Sequence, residues 1–368
     1  MKKTVEHDVA QVFKTTLGDY KKVIDQDIET FSRNLVAQTG EQFGQHSAES
    51  MKVFCDVLSR GGKRIRGALT MLAYRMYGGK NDTVAVEAAR VMELIQTYLL
   101  VVDDVYDRSR MRRGAPSAHV MLEDLHASNH CKDDSYHFGE SLAINTGFIG
   151  SHLSMSMVAD LDVEPAIALK ALKILNTNLQ VTGEGQANDI FNEVTQTTNK
   201  IQVDNVLVWK TAYYTFVNPL QFGATLAGAD DDELDKLREF SLAAGRAFQI
   251  TDDILGTFGS EFESGKSPLD DIREGKRTLI TVHALKNADK EDTYFLERML
   301  GKHDLTQSEF TKAKEIIFKA GSLDYANNEA QRSCDDAVLC VDRYWQHDYP
   351  EQSEFMKSLV RYLLGRKS

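Results

Sequence analysis

The chain is poor in proline, with five among 368 residues. Interior prolines remove an N–H and clash with the preceding turn, so their scarcity points to an α-rich protein. Cysteine is scarce too. Cys55, Cys131, Cys334 and Cys340 show no CxxC spacing and form no dense framework, which excludes a disulfide scaffold and fits reduced thiols in a cytoplasm. No run approaches the roughly 18 apolar residues of a membrane span, so no stable membrane insertion is expected. The first stretch, MKKTVEHDVAQVFKTT, has a basic tip but no apolar run behind it, and is not read as a signal peptide. Alternating strand runs, hairpin signals and low-complexity linkers are lacking. Basic residues are outnumbered, 43 against 55 acidic, for a net charge of −12. Such a field repels nucleic acid and anionic lipid. An anionic substrate then needs a local basic patch or a bridging cation.

What is present is helical periodicity. NDTVAVEAARVMELIQTYLLVVDDVYD reads as a helix with Asp82 at its N-cap, after Gly78 and Gly79. Over Val84–Asp107 it spans about 36 Å. It is apolar on most faces to Val102, as a buried central helix is. DDELDKLREFSLAAGRAFQITDDILGTFG has an acidic start and apolar residues at helical spacing. VEPAIALKALKILNTNLQVTGEGQANDI and VDNVLVWKTAYYTFVNPLQFGATLAG read as one helix each, and further amphipathic helices follow towards the C-terminus. Glu123–Ser141 is the expected loop or insertion. The reading is a single all-α domain over 1–368.

Both long helices end in aspartates. Asp103, Asp104 and Asp107 form DDxxD, and residues four apart share a helix face. Gln249, Asp252, Asp253 and Gly256 lie on one stripe of the second helix, and two such ends could face each other across a cleft. Carboxylates at a helix C-terminus oppose the dipole by a few tenths to about 1 kcal/mol each. A cation offsets that, and hard oxygen ligands suit magnesium, which shares a substrate's phosphates.

Beside them lie glycine-flanked basic loops. SRGGKRIRGAL gathers Arg60, Lys63, Arg64 and Arg66, and Arg112 and Arg113 precede Gly114. Lys210 lies in WKTAYYTF, Lys266 in ESGKSPLDD, and Lys276 with Arg277 in DIREGKRT. Glycines let backbone approach an anion, and guanidinium forks grip phosphate bidentately.

GGKRIR, DDVYD followed by RRG, KTA, FQITDD, and GK then DIREGKRT occur in this order from about Gly61 to Thr278. In these motifs the chain resembles the trans-isoprenyl (polyprenyl) diphosphate synthases, in particular their short-chain farnesyl and geranylgeranyl types. The resemblance implies an all-α isoprenoid synthase fold, a helical bundle around a deep central cavity, and a homodimer. It implies condensation of isopentenyl diphosphate with an allylic diphosphate (dimethylallyl, geranyl or farnesyl) by magnesium-assisted ionisation, with several ions per site. Asp103, Asp107 and, beside them, Asp104 would hold magnesium on the allylic diphosphate, and Asp252 would bind another ion with Asp253 close by. Arg112, Lys210, Gln249 and Lys266 would contact the allylic diphosphate, with Lys276 a further basic residue at the rim. Lys63, Arg66 and Arg113 would bind isopentenyl diphosphate, and Gln96 stands where members carry histidine or glutamine. Thr211 would steady the carbocation. Water must be kept away from such a cation, which explains apolar sequence beside dense charge.

The chain departs from the pattern at Gly256, which replaces a third aspartate, and at Phe148, where aspartate is frequent. Gln186 and Asp189 in GEGQANDI either surround the site or serve helix packing, the second being the plainer reading. Tyr213, Tyr214 and Phe216 offer cation–π support or core packing. His119, His126, His130, Cys131 and His137 match no zinc-finger spacing and read as a polar loop. Two other functions share some features. A class I terpene cyclase also uses DDxxD, and Asp253, Thr257 and Glu261 fit its second motif, but it needs no isopentenyl diphosphate pocket. A non-catalytic partner subunit would not need intact acidic motifs.

Tyr98 lies five residues before Asp103, about 7.5 Å along the helix; the resemblance makes it, with Leu99 beside it, the floor under a growing prenyl chain of fifteen or twenty carbons, and the alternative is packing in a helix interface. Tyr98→Ala is expected to lengthen the product, read by chromatography of the dephosphorylated prenols. An unchanged product removes the assignment.

Overall fold

The computed structural model describes residues 2–259 and 269–365, so Glu261 and Lys266 lie outside the described residues. The chain divides into two compact units. The N-terminal unit comprises Lys14–Ile174 and Pro219–Ala229. The C-terminal unit comprises Met1–Phe13, Leu175–Asn218 and Asp230–Ser368.

In the N-terminal unit, α1 (Lys2–Phe43, from Lys14 onward), α2 (Gln45–Ser59) and α3 (Ile65–Met76) precede α4 (Asp82–Tyr106). A two-residue hairpin, β1 (Met111–Arg112) with β2 (Ala115–Pro116), leads into α5 (Ala118–Ser128) and α6 (Ser135–Ala159). The first part of α7 (Pro165–Val194) completes the run. α4 is the hub, packed by α2, α3, α5 and α6. Val84, Ala88, Val91, Met92, Leu94 and Ile95 are all fully buried, so its apolar residues face neighbours on several sides.

The expected α4 is present, but its cap is Asn81. The Asn81 side chain accepts from the backbone N–H of Thr83 (3.0 Å) and Val84 (3.4 Å). Asp82 falls in the first turn, where its charge still favours the helix dipole. The expected loop over Glu123–Ser141 shrinks to residues 129–134. Asp134 caps α6 by accepting from Tyr136 and His137 N–H, so the polar stretch beyond it is an exposed helical turn. His119 and His126 are buried. His119 pairs with Ser117 (3.2 Å) and His126 with the Lys132 carbonyl (2.9 Å), which gives both a packing role.

In the C-terminal unit, the end of α7 is followed by α8 (Lys200–Val206) and then a π-helix, Leu207–Val217. Apolar spacing alone predicts one continuous α-helix here, because a change of hydrogen-bond register leaves no mark in it. α9 (Asn218–Leu226) belongs to the N-terminal unit from Pro219 on. α10 (Asp231–Phe258), capped by Asp230, packs on the π-helix. After it come α11 (Asp270–Glu274), α12 (Leu279–Asn287), α13 (Lys290–Met299), α14 (Gln307–Lys319), α15 (Ser322–Tyr344) and α16 (Pro350–Leu364). One apolar cluster, including Ile250, Ile254, Ile272, Leu279, Ile280 and Ile317, joins α10 to α11, α12 and α14.

The buried pair Arg64–Glu93 ties α3's N-terminus to α4. The two side chains are 2% and 1% exposed, and Arg64 Nη1 donates to Glu93 at 3.0 Å. Arg64 also donates to Asp25 (2.8 Å) and to the Leu58 carbonyl (2.9 Å), while Glu93 accepts from Gly67 N–H (3.1 Å). Glu93→Ala leaves a buried guanidinium short of its partner. Unfolding free energy is expected to fall by about 3–5 kcal/mol, seen as a lower urea midpoint at unchanged slope. A loss below about 1 kcal/mol would contradict this assignment.

Candidate active site

α4 ends in the DDxxD carboxylates. Asp103 and Asp107 are half-buried on one face, and Asp107 is the C-cap residue. Asp104 is only 1% exposed and turns to Arg112. Arg112 Nε donates to Asp104 Oδ1 at 2.8 Å, its Nη2 donates to the same oxygen, and Asp103 lies 3.7 Å away. Burial works against the Arg112 charge, but Asp104, Asp103 and Asp107 outweigh it and raise its pKa above the ordinary value.

The hairpin aims the two consecutive arginines. Arg113 and Gly114 form its two-residue turn with φ of 55° and 74°. Two successive positive values are what a type I′ hairpin requires, hence the glycine after the arginines. Arg60 braces this turn by donating to the Pro116 carbonyl (2.5 Å) and to Asp56 (2.6 Å). It is committed to structure. Arg113 donates to the Gly61 carbonyl. With the Gln96 amide oriented so that its oxygen faces the cations, that oxygen accepts from Arg66 Nη1 (3.0 Å) and Arg113 Nη2 (3.1 Å). Burial, together with Arg64, Arg66 and Arg112 and against the pull of Glu93, lowers Arg113 to about 10. Arg113 therefore stays charged at neutral pH within crowded positive charge, a setting that favours a bound anion. Lys63 is half-buried in the adjoining loop.

Higher on α4, Tyr98 and Leu99 are half-buried. Burial pushes the Tyr98 phenol up to about 12. Phe148, on α6, is 62% exposed and packs against its helical neighbour His152.

The C-terminal unit holds the second group. Lys210, on the π-helix, donates from Nζ to Asp189 Oδ2 of α7 at 2.7 Å. Asp189 thus serves the packing of α7 on the π-helix, in keeping with the plainer reading, and its partner there is Lys210. Thr211 donates to Gln249 Oε1 (2.7 Å), and Gln249 Nε2 donates to Asp253 Oδ1 (2.7 Å). Asp253 is buried, and burial followed by the nearby carboxylates of Asp271, Asp252 and Asp189 raises its pKa well above the carboxylate range. Asp252, one residue earlier, is exposed. Lys276 pairs with Glu274 (3.3 Å) and Glu193 (3.7 Å). Phe216 is fully buried against Phe248, which makes it core, while Tyr213 and Tyr214 are half-buried.

A family model, Polyprenyl synthetase, matches residues 48–317. The chain belongs to that family. It has the all-α isoprenoid synthase fold and is a short-chain trans-prenyltransferase. It is 31% identical over 312 residues to the geranylgeranyl diphosphate synthase of Saccharolobus solfataricus, covering 83% of this chain and 86% of that one. It is 30% identical over 314 residues to the geranylfarnesyl diphosphate synthase of Aeropyrum pernix, covering 84% and 92%. Among solved structures, it resembles the Corynebacterium glutamicum geranylgeranyl pyrophosphate synthase complexed with isoprenyl diphosphate and magnesium. That match has a TM-score of 0.89 at 27% identity and covers 95% of this chain and 99% of that one.

The π-helix of this synthase depends on a glycine in α7. A Cβ at Gly185 would fall 2.3 Å from the Lys210 backbone nitrogen and 2.6 Å from the Trp209 carbonyl carbon. Backbone atoms cannot yield as a flexible side chain does. Gly185→Ala is expected to displace Lys210 and lower kcat about 100-fold, the loss an ångström-scale misplacement brings, with the helical circular dichroism retained. A kcat within about twofold of the parent would show that Lys210's position does not matter.

Proposed function

We propose that the chain joins isopentenyl diphosphate to an allylic diphosphate and releases farnesyl or geranylgeranyl diphosphate. The observation that carries this is the Arg66–Gln96–Arg113 cluster. It supplies a basic anion site beside, but chemically distinct from, the aspartates of DDxxD. Two dissimilar diphosphate sites suit condensation. A cyclase has one diphosphate to bind.

Magnesium fits the donors present. Asp103 and Asp107 offer hard oxygens on one helix face. Among the described residues no three acidic, histidine or cysteine groups are gathered to hold an ion by themselves. That suits magnesium, which takes one or two carboxylates and completes its shell with water and substrate phosphate. Asp103 and Asp107 would hold it, and Asp252 would hold a further ion. When bound, the metal withdraws electrons from the departing diphosphate as a Lewis acid.

The protein's own groups do the rest. Asp104 holds Arg112 so that its remaining N–H groups meet the allylic diphosphate. Lys210, oriented by Asp189, and Lys266 neutralise charge on the leaving oxygen. Lys276 adds positive charge nearby. Asp253 fixes the Gln249 amide, which in turn receives the Thr211 hydroxyl, so the polar edge near the allylic cation keeps one orientation. Lys63, Arg66 and Arg113 fix isopentenyl diphosphate through its charged end. Its double bond attacks the allylic cation, one carbon–carbon bond forms, and a proton leaves, taken up by the released diphosphate. Tyr98 limits product length, with Leu99 beside it.

The whole chain, 1–368, serves as one polyprenyl synthetase domain. The working form is a homodimer, supported by exposed Ile144, Phe148 and Ile149 along one face of α6. The four free cysteines fit a reducing cytoplasm.

Purified protein given magnesium, isopentenyl diphosphate and each allylic primer in turn is expected to yield a prenyl diphosphate. EDTA should abolish turnover and added magnesium restore it. Hydrocarbon or alcohol from an allylic diphosphate alone would favour a cyclase instead. Gln96→Leu, which strips Arg66 and Arg113 of their shared acceptor, is expected to raise KM for isopentenyl diphosphate about tenfold, the worth of one charged hydrogen bond. KM for the allylic substrate should stay unchanged. An equal rise in both constants would contradict the assignment.

A further inference from the structure

Lys210 and Thr211 stand on a π-helix that continues directly from α8. α8 has only 7 residues, Lys200–Val206, and runs into Leu207–Val217 without a break. A helix this short does not hold itself in place, so packing must do it. Asn199 caps α8 by accepting from the Ile201 N–H at 3.0 Å. Val203 and Leu207 join the apolar cluster with Ile250 and Ile254 of α10. Apolar burial is non-directional, and leaves sliding and rotation of α8 unopposed.

Arg246 of α10 supplies the directional tie. Its Nη2 donates to Asp204 Oδ1 of α8 at 3.0 Å, and its Nε reaches the same oxygen at 3.3 Å. Nη2 also donates to Glu329 Oε2 of α15 at 2.7 Å, and Nη1 to Ser333 Oγ at 2.8 Å. Glu329 accepts in addition from Lys200, in the first turn of α8, at 3.3 Å, and from Arg332 at 3.0 Å. A lysine at a helix N-terminus opposes the dipole, and the carboxylate offsets that. One guanidinium thus joins α8, α10 and α15. Burial works against its charge, but Glu329 and Asp204 outweigh burial and raise its pKa above the ordinary value.

These groups take no part in the reaction described above, yet they adjoin the residues that do. Arg246 comes three residues before Gln249, and residues three apart share a helix face. Between the two elements, a Cβ at Gly245 would fall 2.3 Å from Ala212 Cβ and 2.5 Å from Ala212 Cα, so the backbones meet closely there. α10 therefore holds the segment from α8 through the π-helix by Arg246 on Asp204, Gly245 on Ala212 and Gln249 on Thr211.

We propose that Arg246 is a positioning residue. By engaging Asp204 and Glu329 together it sets the register of α8, and the unbroken backbone then delivers Lys210 to Asp189 and Thr211 to Gln249. The roles of Lys210 and Thr211 in turnover rest on the prenyl-transfer reading given above.

The decisive variant is Asp204→Ala, made in the full-length protein. It cuts the tie to α8 and leaves Arg246 on Glu329, whereas Arg246→Met would strand a buried carboxylate. Asp204→Ala is expected to lower kcat about tenfold, within the loss that a small misplacement brings. Asp204→Asn, which keeps the acceptor oxygen, should recover most of it. Made in a background of Lys210→Met and Thr211→Val, Asp204→Ala should cost no more than about twofold, because the groups it misplaces are gone. A variant that merely folds less well would lose the same factor in both backgrounds, and that result overturns the proposal. So does parental kcat in Asp204→Ala. A second readout needs no turnover. The chain has two tryptophans, Trp209 next to Lys210, and Trp345, buried against Phe240. In protein labelled with 5-fluorotryptophan, Asp204→Ala should shift the 19F resonance of Trp209 and leave that of Trp345 in place. An unmoved Trp209 resonance overturns the proposal. A parent that makes no prenyl product refutes the prenyl-transfer reading, and the Trp209 resonance then decides the register of α8 by itself.

Discussion

A guanidinium pressed onto a buried carboxylate orders the candidate site residues of the N-terminal unit. Arg112 meets Asp104 where Asp104 is almost fully removed from water. Each group alone would be costly there, and each makes the other tolerable. The pair has two consequences. It fixes the end of α4, so that Asp103 and Asp107 keep a common face. It also fixes the hairpin, so that the next residue, Arg113, is delivered to Gln96 and Arg66. One contact thus orders both the acidic and the basic sides of the unit's chemistry.

The C-terminal unit solves a similar problem through side-chain hydrogen bonds. Thr211, Gln249 and Asp253 form a chain of hydrogen bonds in which each amide or hydroxyl has one sensible orientation. Lys210 is held by Asp189 on the neighbouring helix. The π-helix presents Lys210 and Thr211 consecutively, and widened helical turns of this kind are frequent at functional sites. Preorganisation of this sort lets a site meet developing charge without reordering itself.

Much of this was legible in the residues. The all-α character followed from scarce proline and sustained periodicity, and α4 and α10 were readable to within a residue or two because long buried helices carry strong patterns. The aspartates and arginines announced themselves as opposite charges crowded beside apolar sequence. Three features were out of reach for physical reasons. The π-helix changes backbone register while leaving the apolar spacing intact. The partnership of Lys210 with Asp189 joins residues on separate helices, which local spacing cannot pair. The division of labour between Asp104 and its neighbours depends on which side of α4 is buried, and three aspartates within five residues look alike until that is known. The helical turns inside Glu123–Ser141 leave little mark in the sequence, because an exposed polar helix resembles a loop in composition.

The central claim is that the arginine cluster binds one diphosphate without metal while the aspartates bind the other only through it. Calorimetric titration of isopentenyl diphosphate into the protein in EDTA addresses this directly. The account predicts saturable binding that falls away when Arg66 and Arg113 are both replaced by glutamine. Binding of isopentenyl diphosphate that appears only after magnesium is added would contradict it.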